Sequence, residues 1–129
     1  MKIVSMYNKS LVKIIFHQID HSINVIKRRF KGIHHYSDFY NSDSGVDLLD
    51  AICMQLIAIG ESIKNIDKIT NKSLFYNYPN IDWKGIMGIR DIISHHYFDI
   101  DAEEIFNVCN HELDKLQYTI NEIIDGLNL

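Results

Sequence analysis

The stretch RDIISHHYFDID, residues 90–101, gathers an arginine, three aspartates, two adjacent histidines and a tyrosine. Elsewhere the chain mostly alternates apolar stripes with solvated charge. Asp91 and His95 stand four positions apart, so on a helix they share a face and can touch. A carboxylate beside an imidazole fixes its tautomer, and a ring so held can move protons as a general acid or base. Arg90 cannot act as a base because it stays charged; its fork of donors suits a phosphate instead. Together they make a kit for phosphodiester cleavage without a metal, one group moving protons and the other stabilising charge that builds on phosphorus. A plainer reading stands beside this one. Adjacent Arg and Asp often form a surface ion pair, and a His near a helix C-terminus is a common cap. Arg90 and His95 also point in rather different directions on a regular helix. Spacing alone leaves both readings open.

Other chemistries are poorly served. His17 and His21 lie at i and i+4, but that helix lacks the glutamate of a zincin motif. His34–His35 and His95–His96 are adjacent pairs whose side chains diverge on a helix, so no metal site is expected. No glycine loop that would cradle a phosphate and no Gly-x-Ser-x-Gly elbow is present, and no cofactor is expected.

The elements that must position residues 90–101 follow from composition and periodicity. At 129 residues, 47% hydrophobic and 23% charged, the chain reads as one globular domain over residues 1–129. One proline and six glycines favour long helices over many short strands. The net charge of -4 rules out a polycation, so any nucleic-acid contact needs a local patch. Cys53 and Cys109 sit in apolar helical patterns and read as buried hydrophobes of a reducing compartment. No apolar run approaches the ~20 residues that span a bilayer, and the N-terminus lacks a signal-like apolar core. A cytoplasmic protein that does not enter the membrane is the expectation.

A first helix over residues 8–31 carries the stripe Leu11, Ile14, Ile15, Ile19, Val25, Ile26 and Phe30, with Gly32 as its stop. Lys27, Arg28, Arg29 and Lys31 at its end complement the helix C-terminus and are also a candidate phosphate-binding patch. A polar connection with aromatics follows, and Ser44 with Asp47 signals the start of a second helix. Its stripe is Leu49, Ile52, Cys53, Leu56, Ile59, Gly60, Ile63 and Ile66. The run AICMQLIAIG is apolar on more than one face, so this helix is central in its bundle or covered by a second subunit. Gly60 would let another helix approach closely. A loop spans residues 70–80. Asp82 caps a third helix through Trp83, Ile86, Ile89, Ile92 and Ile93, and Asp101 with Glu104 starts a fourth through Ile105, Cys109, Leu113, Leu116, Ile120 and Ile123. The expected fold is an all-α, antiparallel up-and-down four-helix bundle, with room for an extra short helix.

Arg90, His95 and Tyr97 form an R-x4-H-x-Y pattern that resembles the signature of HepT-like toxins in the HEPN superfamily. The approach IDWKGIMGIRD and the Gly60-Glu61-Ser62 triplet in the second helix are also similar to that family. The likeness covers nearly the whole chain, with a departure at His96, where a small residue is expected. The resemblance implies a HEPN-like bundle and a homodimer whose two motifs face each other across a cleft, so Arg90 and His95 need not converge within one chain. It implies metal-independent endoribonuclease cleavage with the RNA's 2′-OH as nucleophile. Arg90 would hold the scissile phosphate, His95 would act as general acid/base, and Asp91 would orient His95. It further implies a cognate minimal nucleotidyltransferase antitoxin, MntA-like, that transfers AMP onto Tyr97. Lys27, Arg28, Arg29, Lys31 and His96 are candidate RNA contacts. A non-catalytic HEPN scaffold that holds a nucleotidyltransferase is the alternative.

Overall fold

The structure, a computed structural model, describes residues 7–95 and 97–128; His96, the side chain of Tyr97, residues 1–6 and residue 129 lie outside the described residues. Helix α1 (Lys9–Phe30) starts at Asn8, whose side chain accepts the Leu11 N–H at 3.0 Å. Its core face is Val12, Ile15, Phe16, Ile19, Ile23 and Ile26. The row containing Leu11 and Ile14 is not the buried one: these side chains are 41% and 56% exposed. Two apolar rows were available. The one that packs contains Phe16, which meets Phe75 edge-on with ring centroids 6.2 Å apart.

A 3-10 turn at Tyr36–Phe39 inserts Phe39 into the core beneath Phe30. It is held by Asp38, whose carboxylate accepts the N–H groups of His34 and His35 at 2.8 and 3.1 Å. Helix α2 (Asp43–Ile69) is capped by Ser42, whose hydroxyl accepts the Gly45 N–H at 3.0 Å. It therefore begins just before the Ser44–Asp47 signal. Gly45 here lies against the Asp38 carbonyl so closely that a Cβ would stand 2.1 Å from that oxygen, which fixes the path into the helix.

The expected third helix is divided at Gly88 into α3 (Trp83–Met87) and α4 (Ile89–His95), glycine being a poor residue for carrying a helix onward. Asp82 caps α3 by accepting the Gly85 N–H. The fourth segment starts, as its capping signal indicated, at Asp101, which accepts the N–H groups of Glu103 and Glu104. It runs as α5 (Ala102–Asn107), a π-helical turn at Val108–Glu112, and α6 (Leu113–Leu127).

Side-chain pairs set the directions. Lys13 meets Asn128 at 2.5 Å and Lys27 meets Asp114, so α6 runs antiparallel to α1. Phe30 lies against Phe39 ahead of α2 and Phe16 against Phe75 beyond it, so α2 is antiparallel to α1 as well. α2 is central, packed on α1 and on α3 with α4. That centrality accounts for its buried apolar residues on more than one side, while Met54 on the same run stays 65% exposed. Among the described residues the fold is an all-α bundle, as its periodicity indicated, and no helix there is long and apolar enough to cross a membrane.

Candidate active site

Two anchors place the reactive segment. Trp83, buried at the head of α3, stacks on Phe75 with ring centroids 4.0 Å apart and donates its indole N–H to the Tyr78 carbonyl at 2.7 Å. Three to six residues later, at Ile86 and Ile89, the chain crosses α2 at Gly60. A Cβ there would stand 2.6 Å from the Ile86 carbonyl oxygen and 2.8 Å from the Ile89 side chain. Only glycine permits this approach, the close passage that its place in the stripe suggested. The contact brings α4 down against α2 with Ile93 buried and Arg90, Asp91 and His95 on the exposed side.

Arg90 donates to Glu61 Oε1 at 3.1 Å. The other oxygen of that carboxylate is buried and lies 3.2 Å from Lys64 Nζ, an ion pair without hydrogen-bond alignment. Glu61 thus holds two cations at once. Its carboxyl sits below the usual range, through Lys64 first and Arg90 after it, although desolvation works the other way. Glu61 was visible in the sequence only as the middle of a triplet. Its pairing with Arg90 spans 29 positions, and no local periodicity reports such a contact.

His95 Nδ1 lies 2.7 Å from the main-chain oxygen of Asp91. The spacing of four does bring these residues together, but the contact runs to the carbonyl and not to the carboxylate. A helical Cβ leans toward the N-terminus, which carries the ring back over the preceding turn. A carbonyl can only accept, so in this contact Nδ1 carries the proton and Nε2 is the ring nitrogen not engaged by Asp91. The helix therefore does the tautomer selection expected of a carboxylate. The Tyr97 backbone opens the 3-10 turn Tyr97–Asp99, two positions past the end of α4.

The opposite side of α4 faces a groove of about 690 Å³. Leu56, Ile59, Ile89 and Ile93 line it, with Asp99 and Glu104 among its acids. Arg90 and His95 do not line it. Apolar walls with acids do not suit a phosphate, whereas the open face of α4 carries the Arg90 guanidinium that could hold one. Of the basic residues ending α1, Lys27 is tied to Asp114 and to Gln117, Arg29 is half-buried, and Arg28 and Lys31 are exposed. Burial pushes the Cys53 and Cys109 thiols up to about 11 and about 12, so neither supplies a thiolate nucleophile. Among the described residues no three His, Cys, Asp or Glu side chains gather where a metal ion could bind.

The profile of the Ribonuclease HepT-like family matches residues 19–123. Three relatives carry the provisional name RNase. One from Methanocaldococcus jannaschii is 36% identical over 78 residues, 60% of each chain, so this chain spans less than two thirds of that relative's length. A second from the same organism is 27% identical over 92% of this chain and 88% of its own. One from Caldanaerobacter subterraneus is 30% identical over 74% of this chain and 79% of its own. No solved structure matches the chain.

Proposed function

From the HepT-like ribonuclease family, to which this chain belongs, we propose that the protein is a toxin that cleaves RNA without a metal, at a site completed by a second copy. The observation that carries this reading is the state of α4. It presents on one exposed helix a guanidinium pinned by Glu61 and an imidazole whose Nδ1 is committed to the Asp91 carbonyl. The two side chains lie about 140° apart around the helix, so the Arg90 and His95 of one chain are poorly placed to grip the same phosphodiester. Two copies of α4 face to face remove the difficulty. Ile92, next to His95 around the helix and 50% exposed at the edge of the groove, gives the rim of that surface some apolar character.

In the proposed reaction Nε2 of one His95 takes the 2′-OH proton and the 2′-oxygen attacks phosphorus. The bond to the 5′-oxygen breaks, and the second copy's histidine protonates that leaving oxygen. The products are a 2′,3′-cyclic phosphate and a 5′-hydroxyl end, and no water is consumed. Arg90 offsets the charge on the nonbridging oxygens. Asp91 acts through its carbonyl by aiming the ring. Tyr97 is the acceptor for AMP from a minimal nucleotidyltransferase antitoxin. The added phosphate would occupy Arg90 and the nucleotide would block the cleft.

Expression in cells tests this reading. Wild type is expected to arrest growth and fragment RNA, and Arg90→Ala and His95→Ala to do neither. Equal growth and equal RNA integrity in all three would leave the scaffold alternative standing. For Tyr97, intact mass after co-expression with the antitoxin should show adenylyl increments that disappear in Tyr97→Phe; increments that survive the substitution would refute that assignment.

A further inference from the structure

Glu61 joins Arg90 to Lys64, and Lys64 begins a series. Lys64, Lys68 and Lys72 advance by four, the first two on α2 and the third just past its end, where the chain turns through positive φ at Asn71 (54°) and Lys72 (62°). All three are exposed. With Asp67 and Asn71 they line a shallow surface hollow of about 420 Å³. Three ammonium groups stand against Asp67 within the hollow and against Glu61 at its head, a carboxylate that Lys64 shares with Arg90, so the strip stays locally positive on a chain whose net charge is -4. The helix dipole explains cations within the last turn, which accounts for Lys68 but not for Lys64, a turn earlier, or Lys72, beyond the helix. The helical step from Lys64 to Lys68 rises about 6 Å along the axis, a spacing that an extended nucleic-acid strand can match phosphate by phosphate, and Lys72 continues the strip past the helix end along the same hollow.

The candidate patch on α1 is less well placed. Phe30 at the end of α1 packs on Phe39, just before α2 begins. Arg90 meets α2 at Glu61, about 27 Å further along that helix at 1.5 Å per residue. Within one chain the α1 patch therefore lies at the far end of the bundle from Arg90, while Lys64 shares a carboxylate with it.

We propose that Lys64, Lys68 and Lys72 form the track that carries the backbone of single-stranded RNA to and from Arg90, with Glu61 as the positioning residue at its head. The choice of RNA rests on the nuclease reading; the track itself reads phosphates. The test uses His95→Ala protein, which removes cleavage, and a fluorescein-labelled unstructured RNA of roughly 16 nucleotides, with affinity followed by anisotropy over a salt series. Replacing the three lysines together by glutamine should weaken binding about 100-fold near 0.1 M salt and make the slope of log K against log salt shallower by about 2. Substituting Arg28, Arg29 and Lys31 in the same way should change affinity by less than about threefold. Unchanged affinity and slope in the lysine variant, a loss confined to the α1 variant, or no RNA binding at all would each overturn the track. Cleavage by protein with His95 intact is read separately. If it cuts nothing while lysine-dependent binding persists, the nuclease reading falls and the track stands. If it cuts with a KM that the lysine substitutions do not move, the track falls alone.

Discussion

Replacing Gly60 by alanine tests the contact that brings Arg90 to Glu61. In an open helix interior the change should stabilise the protein by about 1 kcal/mol, because alanine is the better helix former. Here the new methyl would stand 2.6 Å from the Ile86 carbonyl oxygen. A main-chain oxygen cannot turn aside as a side chain can, so α3 and α4 must move as a unit. Overpacking of that kind lies at the upper end of its usual range, about 3 kcal/mol, and leaves a net destabilisation of about 2 kcal/mol. For a chain of this length the melting temperature should fall by about 7 °C. Gly32→Ala is the matched control, because nothing lies within 4 Å of a Cβ there. Calorimetry on both variants reads the difference directly. A Gly60→Ala protein that melts at or above the wild-type temperature would show that α4 does not pass this close to α2, and the placement of Arg90 would lose its support.

Two further outcomes follow from the electrostatics. The Asp38 carboxyl is held below its usual range by the backbone N–H groups of His34 and then His35. Its contribution is therefore present above the unfolded carboxylate value and lost as pH falls through the folded one, below about pH 4. Acid titration of stability should be flatter in Asp38→Asn than in wild type over that window; parallel curves would contradict the capping role. Cys53 and Cys109 have raised pKa values, about 11 and about 12, so the unfolded thiols ionise first. Stability should decline as pH rises above about 9, and iodoacetamide should label neither thiol at pH 8 until the chain unfolds. Rapid labelling of the folded protein would refute their burial.

The helices were legible because each carries its own apolar period and caps. Asn8, Asp82 and Asp101 cap where a short polar side chain stands ahead of an apolar run. The α2 stripe from Ile52 to Ile66 is buried as its spacing required. What escaped the sequence depends on neighbours distant in the chain. The α1 face was ambiguous until Phe75 selected the row with Phe16. The break at Gly88 had a local signal in the glycine itself, whereas the π turn at Val108–Glu112 has none in any window of sequence. The same holds at the site. Arg90, Asp91 and His95 were singled out by residue type and spacing, and the resemblance to HepT-like proteins is what assigned them roles. The partner that holds Arg90, and the carbonyl that fixes the His95 tautomer, required three-dimensional geometry.

The central claim is metal-free cleavage through the 2′-OH by Arg90 and His95. Its most direct test is the product of purified wild type, in the presence of a chelator, on a DNA oligonucleotide carrying a short RNA segment. The account predicts cuts only after ribonucleotides, a 2′,3′-cyclic phosphate by mass spectrometry, and a loss of at least about 100-fold in rate for Arg90→Ala and for His95→Ala. Cleavage within the all-DNA flanks, activity abolished by the chelator, or undiminished rates in both variants would contradict it.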